Sequence, residues 1–315
     1  MAHRCGGVNS IQLSVDEYLS LRRHLGFKLK DAGHLLPAFA AYMEQAGALT
    51  VTSELALTWV KQPAGRSVGW WQNRLSTIRE FARYMHGIDP KHEIPARGVL
   101  PSGHQRVVPY IYTEAEILGL MSAARGLVPD LRAATYTTLI GLLVTAGMRA
   151  GEVIRLNRSD IDWDEGILTI HGTKFNKTRE LVLHPTTVDA LRHYEDRRGE
   201  SWPRPLTSAF FVSGHGARLG YRTLNKTFRQ LVTYVGLHTE SGARRPRLHD
   251  LRHTFAVNTL ADWYRSGLEI NSKMHLLSTY LGHINPANTY WYLSTTPHLL
   301  GLATQRLEAA QGEVA

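Results

Sequence analysis

The chain has 315 residues, which suits about two domains, and its 43% hydrophobic content allows each domain to bury a core. Its 36 lysines and arginines exceed its 27 aspartates and glutamates, and the formal net charge of +9 favours a polyanionic partner. The single cysteine, Cys5, excludes an internal disulfide, and the longest apolar run, around residues 138–148, is too short to cross a bilayer, so we expect a cytoplasmic protein.

The first predicted domain is helical and covers residues 8–90. Its last helix has apolar residues at offsets of 4, 7, 11 and 14, which form one face: Trp71, Leu75, Ile78, Ala82 and Met85. Arg74 in the same helix is a candidate DNA phosphate contact, although a solvated polar face explains it equally well. Prolines spread among Gly, His, Lys and Arg then predict a linker over residues 91–110.

The second predicted domain covers residues 111–298. It begins with Thr113 as a helix N-cap, three residues before Glu116, which is the pattern of a capping box. Helical periodicity predicts six further helices over residues 131–144, 150–156, 187–197, 221–235, 249–264 and 272–281. We therefore expect a mainly helical domain.

A small antiparallel β-sheet is predicted inside this domain. The β-favouring runs 167–170 and 180–183 flank a turn rich in Gly, Thr, Asn and Lys, so they predict a hairpin or a three-stranded sheet with Lys174 on its loop. Residues 299–315 form a predicted C-terminal helix or tail, whose apolar face would carry Leu299, Leu300, Leu302, Ala303 and Leu307.

Basic residues occur in pairs three positions apart on predicted helices. Arg149 and Glu152 share a face, so the carboxylate can orient the guanidinium toward a phosphate, although an isolated pair of this kind is usually an ordinary surface ion pair. His249 and Arg252 project together in the same way. Four arginines lie within nine residues there, and a polyanion explains this density better than a solvated face does: Arg244, Arg245, Arg247 and Arg252.

The same helix also has the spacing of a metal site. His249 and His253 have the i, i+4 spacing of a helical metal pair. No Glu follows His249 directly, and the surrounding arginines oppose a divalent cation, so a metal hydrolase is disfavoured and we expect no metal. His253 is interpreted as a packing or hydrogen-bonding histidine.

Five short motifs, taken in order, resemble those of the tyrosine recombinases, the integrase-like enzymes that cut and rejoin DNA through a phosphotyrosine. They are the segment from Thr145 to Glu152, Lys174 on the hairpin, the H-x-x-R-H box from His249 to His253, the L-G-H box from Leu281 to His283, and Tyr292. The resemblance covers roughly residues 110–300, and several motifs in fixed order are far more specific than one. The N-terminal unit resembles the family's helical core-binding domain in length, position and helical character.

The resemblance implies how a scissile phosphate would be held. Arg149, supported by Glu152, and Arg252 would bind the non-bridging oxygens, because planar guanidinium forks suit bidentate contacts. His249 and His283 would add donors, with His249 as the general base.

The resemblance also implies the covalent chemistry. Tyr292, nine residues after His283, would attack phosphorus to give a 3′-phosphotyrosine and a free 5′-hydroxyl, and that spacing selects it over Tyr290. Lys174 would protonate the leaving oxygen, with Lys177 as the alternative. Because the phosphotyrosine keeps the exchange near thermoneutral, no cofactor is expected.

The implied partner is double-stranded DNA with inverted half-sites, on which a tetramer would assemble, and the implied task is the movement of a mobile element. Candidate DNA contacts, besides the site itself, are Lys177, Arg244, Arg245 and Arg74. A C-terminal helix docked on a neighbouring subunit and one packed on its own domain both remain open. A type IB topoisomerase and a catalytically silent DNA-binding regulator of the same fold are the alternative functions.

Overall fold

The computed structural model describes residues 10–101, 108–171, 178–237, 245–294 and 296–312. It divides into two compact units, Met1–Val107 and Val108–Ala315, and this boundary lies within the predicted linker. The described part of the first unit has four helices, α1 (Ile11–His24), α2 (Ala32–Gln45), α3 (Ser53–Val60) and α4 (Val68–Ile88). Three of them begin at a hydroxyl side chain that accepts a hydrogen bond from the N–H three residues ahead: Ser10, Thr52 and Ser67.

The apolar stripe predicted for α4 faces the core of the first unit. Four of its members are buried and the fifth packs against them: Leu75, Ile78, Ala82, Met85 and Trp71. Aromatic pairs join α4 and α3 to the other helices. The ring centroids of Tyr18 and Phe81 lie 5.5 Å apart, and those of Phe39 and Trp59 lie 5.3 Å apart.

Arg74 has a structural place in this unit, which corrects the expectation of a phosphate contact. Its guanidinium carbon lies 3.5 Å from the ring centroid of Trp59 and 4.5 Å from that of Trp70, and one N–H donates to the carbonyl of Gln62. Only 7% of the residue is exposed. The side chain therefore stacks on two tryptophans and holds a loop, rather than projecting toward a DNA strand.

The first part of the predicted linker packs on the helical unit. The N–H of Val51 donates to His92 Nδ1 at 3.0 Å, Arg79 donates to the carbonyl of Pro95 at 2.7 Å, and Leu100 is buried. Residues 91–101 are therefore ordered against this unit, because their polar groups and apolar side chains find partners there. On the other side, the N–H of Tyr112 donates to Thr254 Oγ1 within the second unit.

The described part of the second unit contains nine helices and three strands. They are α5 (Glu114–Arg125), α6 (Asp130–Ala146), α7 (Ala150–Val153), β1 (Ile161–Asp162), β2 (Ile167–Ile170), β3 (Arg179–Val182), α8 (Pro185–Ser201), α9 (Tyr221–Tyr234), α10 (Asp250–Arg265), α11 (Ile270–Leu281), α12 (Ala287–Tyr290) and α13 (Pro297–Gly312). The predicted capping box is confirmed, because the Thr113 hydroxyl accepts from the Glu116 N–H and the Glu116 carboxylate accepts from the Thr113 N–H. The predicted helix over 150–156 is shorter, a single turn that ends at Val153.

The three strands form one antiparallel sheet in the order β1-β2-β3, which confirms the predicted small sheet. Leu168 of β2 lies opposite Leu181 of β3, and both are buried, as is Ile170. Lys174 and Lys177 belong to the connection between β2 and β3 and lie outside the described residues. The sheet therefore fixes the positions of β2 and β3, the two strands that flank this connection.

Helix α6 lies at the centre of the second unit. It packs against α5, α8 and α10, so its apolar residues are not confined to one face, and Leu139, Ile140, Leu142 and Leu143 are all buried. Its end at Ala146 directly precedes the segment that carries Arg149. The position of this arginine is thus fixed by a helix that packs against three others.

Helix α13 packs against α10 of the same chain. Leu299 is buried there and Leu302 is partly buried, whereas Leu300 and Leu307 are exposed by 51% and 60%. The apolar face predicted for this segment is therefore divided between the core and the solvent. Among the described helices, none combines the length and apolar character that crossing a membrane requires.

Candidate active site

Four segments of the second unit bring together the predicted residues that the structure describes. Arg149 stands immediately before α7, and His249 immediately before α10, which carries Arg252. His283 follows the end of α11, and Tyr292 lies in the 3₁₀ turn Trp291–Ser294. Residues that are distant in the sequence thus meet at one place.

Glu152 is a buried carboxylate that binds two arginines. Its oxygens accept from the Arg149 side chain at 2.8 Å and from both terminal nitrogens of Arg179 on β3, at 3.0 and 2.8 Å. Burial alone would raise the pKa of Glu152, but hydrogen bonds and charge from Arg179, and then from Arg149, outweigh it and lower the pKa to about 2. Glu152 is therefore ionised and orients Arg149, as the i, i+3 spacing predicted.

Three arginines bind the carbonyl groups at the end of α11. Arg179 Nε donates to Tyr280 at 3.0 Å, Arg252 Nη2 to Leu281 at 2.5 Å, and Arg149 Nη2 to Gly282 at 2.9 Å. The last carbonyls of a helix lack intrahelical partners and carry partial negative charge, so guanidinium groups stabilise them. The helix end therefore serves as a common anchor for three cations.

The arrangement of three arginines at the end of α11 requires glycine at position 282. Its φ is +65°, in the left-handed region, and a Cβ built on it would lie 2.9 Å from Arg179 Nη1. Glycine lets α11 end sharply, lets Arg179 approach, and turns His283 back toward the other basic residues. The L-G-H motif thus has a local physical explanation.

Replacing Gly282 with alanine is expected to destabilise the second unit. The left-handed conformation costs about 1 kcal/mol for a residue with Cβ, and displacement of Arg179 adds to it. Gly236→Ala is the matched control, because its φ is +73° and nothing lies within 4 Å of the added Cβ. Urea unfolding would measure both variants, and equal losses of unfolding free energy would contradict a contact with Arg179.

Arg252 is a buried cation held by backbone oxygens. It is 1% exposed and donates to the carbonyls of Gly147 at 2.7 Å and Leu281 at 2.5 Å. No carboxylate of the described residues forms an ion pair with it. Burial, and then the charge of Arg149, lowers the pKa of Arg252 to about 10, so it stays charged near neutral pH. A buried cation whose hydrogen bonds go to neutral carbonyl groups favours the binding of an anion.

Three histidines beside these arginines are neutral at pH 7. Burial, and then the charges of Arg252 and other arginines, lowers the pKa of His249 and of His283 to about 4. Burial, and then His249, lowers the pKa of His253 to about 3. The edge of His249 is nevertheless exposed to solvent. A neutral imidazole has one N–H donor and one lone pair, so each of these histidines can both donate and accept a hydrogen bond.

Tyr292 is buried among these rings. Its hydroxyl lies 2.9 Å from His253 Nδ1, and its ring lies nearly parallel to that of His283, with centroids 6.4 Å apart. The Nδ1 atom of His283 lies 2.7 Å from the hydroxyl of the buried Thr289. Tyr290, by contrast, is 46% exposed. This geometry supports Tyr292 as the nucleophile and gives His253 the hydrogen-bonding position predicted for it.

Acid is expected to destabilise this site. The folded pKa values of His253 and His283 lie below the ordinary value of about 6.5, so the unfolded chain binds protons first as the pH falls. The free energy of unfolding should therefore decline below about pH 6.5 and continue to fall toward pH 4, by up to about 1.4 kcal/mol per pH unit for each group. Glu152 adds a further loss at lower pH. Because its folded pKa is about 2, below its ordinary value, its contribution to the free energy of unfolding is lost between roughly pH 4.5 and pH 2.

Urea unfolding between about pH 7 and pH 5 tests this expectation. His253→Gln should flatten the pH dependence, while His193→Gln, an exposed position on α8, should leave it unchanged. An unaltered slope in His253→Gln would contradict the role assigned to burial.

A basic cleft extends from the site along α9. Its volume is about 980 Å³, and it is lined by Arg222, Lys226 and Arg229 of α9 and by Arg247 and His249. The three α9 side chains are exposed, and α9 contains neither Asp nor Glu. Sequence analysis did not select this helix, although its cations recur on one face. Its charge and proximity to His249 suit a polyanion.

The remaining predicted DNA contacts are only partly described. Arg245 is exposed and precedes Pro246, which lines the same cleft, whereas Arg244 lies outside the described residues. Arg247 is paired with Asp250 at 2.8 Å. The dense arginine run therefore contains one residue with a structural ion pair and at least one exposed cation.

The histidine pair with metal-site spacing is engaged in ring contacts. The centroids of His249 and His253 lie 4.7 Å apart in an edge-to-face arrangement, and His253 faces Tyr292. In the described ranges, no group of three or more His, Cys, Asp or Glu side chains is placed to hold a metal ion.

Two functional interactions escaped the sequence analysis. Arg179 lies just before the predicted strand 180–183 and received no role, and its bidentate bond to Glu152 joins residues 27 positions apart. The hydrogen bond between His253 and Tyr292 spans 39 positions. Arg179 could have been recognised in the sequence as a charged residue at an inward-facing position of a short strand.

Comparisons with known proteins agree with this geometry. The model of the Phage integrase family matches residues 111–298, which coincide with the predicted second domain. A protein of Sinorhizobium fredii, "Putative integrase/recombinase y4rB", is 40% identical over 96% of this chain and 98% of its own length. Tyrosine recombinase XerC of Chlamydia muridarum is 30% identical over 70% of this chain and 65% of its own length.

Solved structures share the fold. The Tn1549 transposon integrase in complex with transposon right end DNA is 18% identical, with a TM-score of 0.67 over 94% of this chain and 98% of that one. The XerH site-specific recombinase bound to palindromic difH substrate is 20% identical, with a TM-score of 0.63 over 88% of this chain and 77% of that one. With the family match and the extended identity to an integrase, these likenesses lead to one conclusion: the chain belongs to the phage integrase family, the tyrosine recombinases.

Proposed function

We propose that this chain is a site-specific recombinase that cleaves and rejoins DNA through Tyr292. The observation that carries the proposal is Arg252, a buried cation without a carboxylate partner in the described part of the chain, next to Arg149, His249 and His283. A phosphodiester supplies the anion that this cluster needs. The family membership supplies the reaction class.

The phosphate would be held by fixed cations. Arg149 and Arg252 are already oriented by Glu152 and by backbone carbonyls, so little reorganisation is needed when the phosphate arrives. Their charges stabilise the negative charge that accumulates on the non-bridging oxygens in the transition state. His283, held by Thr289, adds a third donor.

The nucleophile would act from its position beside two neutral histidines. The bond between Tyr292 Oη and phosphorus forms while the bond from phosphorus to the 5′-oxygen breaks. The phenolic proton passes to His249, or to His253, whose Nδ1 lies 2.9 Å from the hydroxyl. The leaving 5′-oxygen takes a proton from Lys174, with Lys177 as the alternative. Attack by a 5′-hydroxyl on the phosphotyrosine reverses these steps and rejoins the strand.

Neither a metal nor another cofactor enters this scheme. The incoming and outgoing phosphodiesters are of equal energy, and the charge of the transition state is met by side chains. We therefore propose cleavage that proceeds in the presence of a chelator.

The basic face of α9 would bind the DNA backbone next to the site. Replacing Arg222, Lys226 and Arg229 with Gln is expected to weaken binding and to reduce the slope of log K against log salt by about 0.9 for each phosphate that the variant no longer neutralises. Fluorescence anisotropy on duplex DNA over a salt series measures this slope.

The control removes the same charge elsewhere, by Arg192→Gln, Arg197→Gln and Arg204→Gln, all exposed. Equal slopes for the two triple variants would show a general charge effect and contradict a specific role for α9.

Assembly is proposed to follow the pattern of the family. Protomers would bind inverted half-sites in pairs and form a tetramer on two duplexes in the cytoplasm, and the biological task would be the movement of a mobile element. Helix α13 packs on its own chain here, with Leu300 and Leu307 exposed. These leucines are available to a neighbouring subunit, while Leu299 keeps the helix attached to its own domain.

A covalent assay tests the proposed function. Duplexes that the protein retains from a random-sequence pool would be nicked near the mapped site and incubated with it, so that cleavage traps the adduct. A DNA-linked peptide containing Tyr292 is expected in mass spectra. Relaxation of supercoiled plasmid without a selected site would instead favour the topoisomerase. Binding without any adduct would favour the silent regulator.

A further inference from the structure

Arg179 uses all three nitrogens of its guanidinium within the site. Nη1 and Nη2 bond the two oxygens of Glu152 at 3.0 and 2.8 Å, and Nε bonds the carbonyl of Tyr280 at 3.0 Å. Its side chain is 12% exposed, and that of Glu152 is 2% exposed. A planar guanidinium that makes three hydrogen bonds in this way holds its partners in one geometry.

The net charge of the group around Glu152 depends on the second arginine, Arg179. Glu152 alone with Arg149 would form a neutral pair, in which the carboxylate offsets the charge that a phosphate needs. With Arg179 present, two cations share one anion, and the group keeps a net charge of +1. In a buried site this remaining charge is weakly screened, so it acts strongly on a nearby phosphate.

Arg179 also connects the sheet to the segment that carries His283. Tyr280 stands three residues before His283, and the missing Cβ of Gly282 leaves room for Arg179 Nη1. Movement of Arg179 would therefore shift the end of α11 and the histidine that follows it.

We propose that Arg179 is a positioning residue for DNA cleavage, which neutralises Glu152 so that the charge of Arg149 remains available to the scissile phosphate. This inference rests on the proposed function. Arg179 itself touches Glu152, Tyr280 and the surroundings of Gly282, and it acts on the phosphate through Arg149 and His283.

The test measures single-turnover cleavage of the nicked, selected duplex by the full-length chain. Arg179→Gln is expected to lower the rate about 10- to 100-fold, as is usual when the support of a catalytic group is removed. Arg179→Lys keeps the charge and loses the fork, so it should fall between the wild type and Arg179→Gln. Arg132→Gln is the matched control, because Arg132 is a half-buried arginine of the same unit that bonds Thr227 on the buried face of α9, opposite its exposed cations.

Two further measurements distinguish an electrostatic role of Arg179 from a general loss of structure. A methylphosphonate at the scissile position has no negative charge, so the loss caused by Arg179→Gln should shrink to within about threefold on this substrate. Glu152→Gln added to Arg179→Gln removes the carboxylate that requires neutralisation and should recover at least about tenfold on the natural phosphodiester. Thermal unfolding of each variant checks the fold, and Arg179→Lys serves if Arg179→Gln is unfolded.

The outcomes are distinct. If the wild type and Arg132→Gln form no adduct, the proposed function fails. If both form it and Arg179→Gln cleaves within about threefold of the wild type, the role of Arg179 fails alone. Equal losses on the phosphodiester and the methylphosphonate, or no recovery in the double variant, would also overturn it.

Discussion

Tyr292→Phe is expected to abolish covalent attachment of the protein to nicked DNA. Phenylalanine lacks the oxygen that bonds phosphorus, yet it keeps the ring that packs beside His253 and His283. Removing the hydrogen bond to His253 should cost only about 1 kcal/mol of stability. DNA binding should therefore persist, while the adduct seen on denaturing gels falls below detection.

Tyr290→Phe is the matched control. Tyr290 is two residues away and 46% exposed, so its hydroxyl is not needed in the buried cluster. The Tyr290→Phe variant should form the same amount of covalent DNA adduct as the wild type. Adduct that survives Tyr292→Phe and disappears in Tyr290→Phe would reverse the assignment of the nucleophile.

Arg252→Lys is expected to slow cleavage about 100- to 1000-fold, which corresponds to about 2.7–4 kcal/mol of transition-state stabilisation. Lysine keeps the charge but cannot hold Gly147 and Leu281 while also presenting two parallel donors to a phosphate. Affinity for duplex DNA should change within about threefold, because backbone contacts elsewhere supply most of the binding energy. Single-turnover cleavage and anisotropy measure the two quantities separately.

Arg218→Lys provides the comparison. Arg218 also holds two backbone carbonyls, those of Ile154 and Leu156 at 3.0 and 3.3 Å, in the same unit. A loss of stability without a comparable loss of cleavage is expected there. If Arg252→Lys reduced binding as strongly as cleavage, Arg252 would be a general DNA contact, and its place at the scissile phosphate would be contradicted.

The sequence predicted the parts of this site that local spacing controls. Arg149 and Glu152 meet because they are the N-cap and the N3 residue of α7, so Glu152 accepts from both the backbone and the side chain of Arg149, and the capping box at Thr113 likewise depends on four consecutive residues. Apolar periodicity predicted most helices of the second unit, with bounds that shifted by a few residues, but it did not predict the single turn α12. The roles of distant motifs came from resemblance to a family, because spacing alone does not bring α6, α10 and α11 together.

The parts that sequence reasoning missed depend on tertiary contacts. Arg179 bonds Glu152 across the interval between β3 and α7, and no periodic pattern encodes that approach. Arg74 was assigned to DNA because it is an arginine on a helix, yet Trp59 of another helix supplies a face on which it stacks. Burial of a cation by aromatic rings from elsewhere in the chain is not visible in local sequence.

The arginine cap on α11 also links catalysis to local unfolding. The last turn of a helix ordinarily opens more readily than its middle, but here opening it would break one hydrogen bond of each of Arg149, Arg179 and Arg252 at the same time. We therefore expect opening of this one turn to disturb all three arginines, and so to lower the population of competent enzyme. A substitution in α11 far from DNA would lower the cleavage rate simply by populating the open state.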